Sequence, residues 1–360
     1  MSASVVVTQP YVPRYRVPLF DALAAELAQR DMDLTVYSGQ PDGEQAGRND
    51  QATGAWHRDL TVRRVRVGPR QLEYRDLPHE VRTADLVVSE LSGLNLEGWR
   101  LGMRRRPLVL WGHGKSYTSP GGWLSDRVEW ALARRASHIM TYAPSGARFL
   151  IEEAGLDPSR VTSIGNSTDT AALRSFYIDA RDAAPDTDRR PARPPAALFI
   201  GGIDSTKRID FVLGAFEHAT AADPGFRLHV VGNGPLAPLV DDLAARDARV
   251  RRYGDLRGRS LAELAVVADA IWMPGRVGLV AVDALAMGLP VHTTDFEFHA
   301  PEVEFLQDGE LLRLPDDPAA FARASLAALD GPAPELRDDI PTVQSVARNM
   351  AAVFDRVLRG

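Results

Sequence analysis

The sequence predicts an α/β protein built from two doubly wound, Rossmann-like domains, and three observations lead there. Short β-type apolar runs alternate with helical patterns along the whole chain. Some of those runs, such as 107–111 and 196–201, are continuously apolar, the mark of parallel strands buried on both faces. One compositional break divides the alternation into halves, and 360 residues suit two domains with separate cores.

In the first domain, residues 1–178, strand-type runs lie near 4–9, 33–37, 62–67, 85–89, 107–111, 137–142 and 161–164. Helical spacing occupies 20–29 and 123–135. Residues 179–195 are rich in Pro, Asp and Arg without apolar periodicity, so they read as a linker. The second domain, 196–340, has runs near 196–201, 227–231, 249–253, 269–273 and 290–294, with a helical pattern over 210–220. Residues 341–360 form a last helix, on which Val346, Met350, Val353, Phe354 and Val357 share a face that must pack, with the first domain as a candidate surface. Open α/β sheets bind ligands outside the carboxyl ends of their strands, so two such domains are expected to face each other across a cleft.

Composition excludes several functions. A net charge of −6 gives no general pull towards nucleic acid or acidic lipid. Without cysteine there are no disulfides, thiolate nucleophiles or cysteine-metal sites. No basic region precedes Val5-Val6-Val7, so a signal peptide is not expected. No apolar stretch has the length of a membrane span, and a cytoplasmic location is the expectation.

Lys115 and Lys207 are the only lysines among 42 basic residues, and each sits in a glycine-bearing loop after an apolar run. The loops read Trp111-Gly112-His113-Gly114-Lys115 and Gly201-Gly202-Ile203-Asp204-Ser205-Thr206-Lys207. A lysine among arginines suggests that a compact point charge was wanted rather than a planar fork. A strand followed by a glycine loop is where α/β proteins hold phosphorylated ligands. The plainer alternative is that two lysines fall there by chance.

The second half carries four elements in order. These are Gly201-Gly202 with Lys207, then Gly232-Asn233-Gly234-Pro235, then Tyr253-Gly254-Asp255, and finally Pro274-Gly275-Arg276-Val277-Gly278-Leu279 leading to Asp283. This succession resembles the nucleotide-sugar domain of retaining glycosyltransferases of family 4, which have the GT-B architecture. The turn Asn166-Ser167-Thr168-Asp169, the opening Gln9-Pro10-Tyr11-Val12-Pro13-Arg14-Tyr15-Arg16 and Trp111-Gly112-His113-Gly114 extend the likeness over essentially the whole chain.

The chemistry fits a nucleoside diphosphate. Gly278-Leu279-Val280 should open a helix whose N–H groups and dipole suit a pyrophosphate, and Lys207 would add a point charge on the same phosphates. Arg208 or Arg276 could supply a second cation. By resemblance, the base lies against Tyr253-Gly254-Asp255, Asp283 corresponds to the ribose-binding carboxylate, and His113 faces the donor sugar. The ordinary alternatives are a capped loop imidazole at His113 and a solvated helix position at Asp283. The resemblance implies no metal, and no cofactor beyond the nucleotide sugar as co-substrate. The Phe296-Glu297-Phe298-His299-Ala300-Pro301-Glu302 segment has no metal-site spacing, although Glu302 could touch the sugar or hold His299.

Two positions depart from the family. Relatives carry a glutamate where this chain has Gly275, and an arginine where it has Gly202. Three explanations stay open for Gly275: a donor lacking one sugar hydroxyl, backbone groups of Gly275 and Arg276 doing the recognition, or lost transferase activity.

The resemblance places the acceptor on the first domain. Arg14, Tyr15 and Arg16 after the first strand, and Lys115, are the candidates for meeting it, although Tyr15 and the arginines could equally be packing and solvated groups. Arg104-Arg105-Arg106 and the 123–135 helix could touch a membrane carrying a lipid-linked acceptor, but Asp126 and Glu129 interrupt that helix. The expected function is a retaining glycosyltransferase moving a hexosyl-type group from a nucleoside diphosphate sugar to a hydroxyl, in cell-envelope glycan or secondary-metabolite biosynthesis. A nucleotide-sugar epimerase, a sugar phosphorylase and a non-catalytic nucleotide-sugar-binding protein are the alternatives. The base, sugar, acceptor and oligomeric state are not encoded in any motif.

Overall fold

The computed structural model describes residues 2–41, 50–67, 70–103, 106–117, 122–185, 187 and 192–359. The chain divides into two compact units, Met1–Thr168 with Thr342–Gly360, and Asp169–Pro341.

The first unit contains β1 (Ala3–Gln9), α1 (Val17–Ala28), β2 (Met32–Ser38), β3 (His57–Asp59), β4 (Val62–Val67), β5 (Arg70–Arg75), α2 (His79–Thr83) and β6 (Leu86–Glu90). It continues through α3 (Leu96–Gly102), β7 (Leu108–Gly112), α4 (Trp123–Ala133), β8 (His138–Thr141), α5 (Pro144–Glu152) and β9 (Val161–Ser163). Its main sheet is parallel, with described strands in the order β3-β2-β1-β6-β7-β8-β9.

The second unit contains α6 (Thr170–Ala183), β10 (Ala196–Ile200), α7 (Ile209–Ala222), β11 (Arg227–Val231), α8 (Ala237–Ala244), β12 (Val250–Arg252) and α9 (Gly258–Ala265). It continues through β13 (Ala270–Trp272), α10 (Val280–Met287), β14 (Val291–Thr293), β15 (Leu311–Arg313) and α11 (Pro318–Ala328). Its described strands make a parallel sheet in the order β12-β11-β10-β13-β14-β15. Both sheets reverse their strand order beside the first strand, as doubly wound folds do. The last helix, α12 (Val343–Arg359), belongs to the first unit. Its apolar face, including Val346, Met350 and Phe354, is buried in one core with Phe20, Leu23 and Leu27 of α1, and Arg30 pairs with Asp355 at 2.6 Å.

Four features differ from the sequence reading. The 62–67 run is outside the main sheet and pairs antiparallel with β5. With Arg63, Arg64 and Arg66 among its six residues, it lacks the continuous apolar character of a parallel strand buried on both faces. Strands β3, β5 and β15 were not expected, because polar or three-residue segments make no apolar run. The segment read as a linker from 179 begins inside α6, and the units divide at Thr168, not at 178. The helix N-cap is Asp169, whose carboxylate accepts from Ala172 N–H at 3.3 Å, and Phe176 and Tyr177 pack on the second unit's core. An exposed Asp- and Arg-rich helix end therefore imitated a linker. Residues 186 and 188–191 of that segment lie outside the described residues.

Three buried strand histidines tie stability to pH. His138 meets the Thr162 hydroxyl at 2.8 Å, His229 the Tyr253 hydroxyl at 2.9 Å, and His292 the Ser325 hydroxyl at 2.7 Å. Burial pushes each imidazole down to about 4. The unfolded chain takes up protons near the ordinary value of about 6.5, and the folded chain does so only near 4. This stability is therefore fully present above about pH 6.5 and is lost as pH falls towards 4, by up to about 3 kcal/mol per histidine. Urea unfolding at pH 7, 6, 5 and 4 should show a falling midpoint, with a shallower fall in His138→Asn. A flat profile over that range would mean that these rings are not held neutral.

Candidate functional site

In the second unit the strand order reverses between β10 and β13, and the loops leaving those two strands meet at their carboxyl ends. The loops after β11 and β12 support them by backbone contact. Gly201 N–H donates to Val231 O at 3.0 Å, Gly232 N–H to Gly254 O at 2.6 Å, and Ile203 N–H to Asn233 O at 2.9 Å. Gly232 has φ 140°, and a Cβ there would overlap the Gly201 carbonyl. Only glycine allows this stacking. The predicted Gly201, Gly202, Gly232, Asn233 and Gly254 are thus gathered at the carboxyl ends of β10, β11 and β12.

The loop to Lys207 is a built turn. One Asp204 carboxylate oxygen accepts from Thr206 N–H at 2.9 Å, Thr206 Oγ1 at 2.6 Å and Lys207 N–H at 3.2 Å. Sequence reasoning passed over Asp204, though an Asp before Ser-Thr is a common turn signal. The turn presents Thr206 O to Arg276 N–H at 2.9 Å, and the Lys207 ammonium donates to the Arg276 carbonyl. Gly275 lies at this junction. A Cβ on it would meet the Thr206 carbonyl oxygen and come within 2.7 Å of the Lys207 carbonyl carbon and 2.9 Å of its Cα. The glycine that breaks the family pattern is therefore required by backbone packing. Gly202 is exposed, and a Cβ there would approach Asp204 Oδ2 at 2.9 Å.

Beyond Gly275 the chain enters α10, whose start has no side-chain cap. Gly278 and Leu279 precede the helix, and Asp283 is half-buried in its first turn, with N–H donating to Leu279 O at 3.3 Å. His299 staples the preceding loop. Its Nδ1 accepts from Val277 N–H at 3.1 Å, and its Nε2 lies 3.2 Å from Thr294 O, which requires a neutral, Nε2-protonated ring. Burial holds its pKa below the ordinary value. Arg276 Nη1 donates to Phe298 O at 3.2 Å. Burial also lowers the Arg276 pKa, and the charge of Glu302, itself 3% exposed, opposes that. His299→Ala would leave the buried Val277 N–H without this acceptor, at a cost of roughly 1–3 kcal/mol. Thermal melts should show the loss, and an unchanged midpoint would remove the staple.

Other candidates are committed elsewhere. Arg208, in a left-handed conformation at φ 55°, pairs with Asp316 at 2.6 Å and approaches Thr294 Oγ1 at 3.3 Å. Its guanidinium thus faces a carboxylate 108 positions away, a pairing that has no sequence signal. The Tyr253 hydroxyl turns to His229, Asp255 pairs with Arg257 at 3.0 Å, and the Asn233 side chain accepts from Arg252 at 3.0 Å.

In the first unit, residues from the carboxyl ends of β1, β7 and β8 form a second cluster. The Arg16 guanidinium lies 4.6 Å from the Trp111 ring centre and donates to Gln9 Oε1 and the Tyr142 hydroxyl, both at 2.7 Å, and to the Tyr15 hydroxyl at 3.3 Å. The exposed His113 ring stands 4.8 Å from Tyr142 and 5.6 Å from Tyr117, and Lys115 Nζ lies 4.8 Å over the Tyr117 ring. Arg14 is exposed, apart from this group. Gly146, at the start of α5, abuts the His113 carbonyl, which locks this loop to the helix. Gln9 and Tyr142 carried no sequence signal for this cluster. Arg104 and Arg105 lie outside the described residues. Among the described residues, no helix is long and apolar enough to cross a membrane, and no group of three or more His, Asp or Glu could hold a metal ion.

Residues 19–172 match the family model described as glycosyltransferase family 4, and residues 194–330 match that of glycosyl transferases group 1. The chain is 28% identical to glycogen synthase of Mycobacterium tuberculosis over 241 residues, covering 63% of this chain and 55% of that protein. It thus spans about half the length of the curated relatives it matches. Anabaena HepE in complex with UDP superposes with a TM-score of 0.60 at 16% identity, over 100% of this chain and 98% of that one. The UDP-GlcNAc 2-epimerase of Methanocaldococcus jannaschii reaches 0.61 at 11% identity, over 99% and 100%. These two likenesses speak for the fold. With the two family models following each other along most of its length, the chain belongs to the family 4 glycosyltransferases of the GT-B fold.

Proposed function

We propose that this protein is a retaining glycosyltransferase that moves a hexosyl group from a nucleoside diphosphate sugar to a hydroxyl acceptor. The observation that carries the reading is the junction of Lys207, Gly275 and Arg276 at the reversal point of the second unit, just before the uncapped start of α10. A diphosphate there meets a fixed ammonium and the positive end of a helix dipole. Of the three explanations for Gly275, the close backbone packing favours recognition of the sugar by main-chain groups. Asp283 is assigned to the ribose, the Tyr253-Gly254-Asp255 loop to the base, and His113 to the sugar. Arg208 is left to its ion pair.

In this reading the bond from the anomeric carbon to the diphosphate oxygen breaks, and the acceptor oxygen forms the new bond on the same face. The acceptor proton passes to the departing diphosphate. Catalysis is then charge stabilisation of the leaving group and positioning of the acceptor on the first unit. The reading places the protein in the cytoplasm, without a metal or further cofactor.

The test is a thermal-shift screen against UDP, GDP, dTDP, CDP and ADP and their common sugars, since a ligand that binds only the native state raises its apparent stability. A shift with one diphosphate, enlarged by one attached sugar, supports the reading. No shift with any of them removes it. The epimerase alternative keeps one argument, the fold shared with a UDP-GlcNAc 2-epimerase. Incubation with the donor alone, followed by NMR, decides it, because an epimerase alters the sugar without an acceptor.

A further inference from the structure

The cluster at the carboxyl ends of β1, β7 and β8 holds more positive charge and more donors than its surroundings satisfy. Arg16 spends its hydrogen bonds on neutral oxygens of Gln9, Tyr15 and Tyr142, and among the described residues it pairs with no carboxylate. Among those residues Lys115 has only the Tyr117 ring beneath it. Both cations are half-buried. The Trp111 Nε1–H is buried, on a residue 2% exposed, and has no hydrogen-bond partner among the described residues. Glu90, the carboxylate whose charge reaches Tyr142, faces Arg75 at 3.8 Å. Partly desolvated cations and an orphaned donor are costly unless an acceptor meets them. Elsewhere the chain pairs its guanidinium groups readily, as in Arg193 with Asp269, Arg208 with Asp316 and Arg337 with Glu310.

We propose that this cluster binds an anionic group, a phosphate monoester or carboxylate, carried by the acceptor. Arg16 and Lys115 contact the charge, and the Tyr117 and His113 rings flank the body of the molecule. Arg16 has guanidinium N–H groups beyond those used by Gln9, Tyr15 and Tyr142, and stacking on Trp111 fixes its plane. Lys115 adds a mobile point charge at the rim. The proposal rests on the acceptor binding the first unit, and it gives that acceptor a chemical class.

Glucose 6-phosphate serves as the soluble probe, glucose as its uncharged control, and phosphatidic acid vesicles against phosphatidylcholine vesicles as the lipid-borne form of the same phosphate monoester. Calorimetric titration uses the full chain in a Lys207→Ala background, so that the second unit's phosphate contact does not report. One charged probe is expected to bind where its neutral control does not. Lys115→Met should weaken that binding at least tenfold, and Arg16→Lys further. Lys115 is at the rim, so its variant keeps the test valid if changing the packed Arg16 harms folding. A response to glucose 6-phosphate points to a soluble acceptor, and one to phosphatidic acid alone points to a lipid-linked one. Binding unchanged by Lys115→Met, or no preference for either charged probe, overturns the proposal. Failure of the nucleotide screen leaves this result intact, so the two readings fall separately.

Discussion

Replacing Lys207 by alanine is expected to lower turnover with the cognate nucleotide sugar by about 10²–10³-fold, the usual effect of removing one preorganised charge contact to a developing anion. The side chain comes from a turn tied by three hydrogen bonds to Asp204 and is anchored on the Arg276 carbonyl, so its charge is positioned before any ligand arrives. Preorganisation of that kind stabilises a leaving diphosphate more than a bound ground state, so the loss should fall mainly on kcat. Lys207→Arg is not expected to restore activity, because a planar fork cannot occupy the space of a compact ammonium against that carbonyl. Arg14→Ala, on an exposed side chain, should change turnover little. Steady-state kinetics beside thermal melts separates chemistry from folding. Equal, mild effects at Lys207 and Arg14 would sink the assigned role.

The architecture was legible where chemistry is local. Continuous apolar runs such as Ala196–Ile200 and Leu108–Gly112, short and bounded by glycine or proline, read as parallel strands covered on both faces, and they appear where expected. The glycine loops were legible because a backbone that must touch another backbone excludes Cβ, as at Gly232 and Gly275. What escaped depends on partners distant in sequence. The ion pair of Arg208 with Asp316 at 2.6 Å joins residues 108 positions apart. Arg16 looks like a solvated arginine until β7 and β8 carry Trp111 and Tyr142 against it. Strand β15, three residues long, exists because β14 offers it an edge, and propensity alone does not call for it.

Gly275→Glu should damage the second unit severely, although it places there the residue that the family resemblance implies. The atoms facing the new Cβ are the carbonyl of Thr206 and the backbone of Lys207 at 2.7–2.9 Å, and none is the movable end of a side chain. Relief therefore requires the β10 loop to separate from the β13 loop. That breaks the Arg276-to-Thr206 bond and withdraws the carbonyl that holds Lys207. Overpacking of this kind costs about 1–3 kcal/mol or more, and the buried position adds the desolvation of a carboxylate. Gly275→Ala should show the steric part alone, and Gly275→Glu both parts. Gly278→Ala is the control, since its Cβ would sit 3.7 Å from Ala300, an ordinary contact. Thermal melts and nucleotide titration of the three variants decide the matter. The expected loss of stability is largest for Gly275→Glu and smaller for Gly275→Ala, with Gly278→Ala near wild type. A Gly275→Glu protein that melts like wild type and turns over faster would show that the loops can part. The absent carboxylate would then be a lost catalytic group. With the expected order, glycine at this position is the condition for holding Lys207 in place, which is what recognition of the sugar by main-chain groups requires.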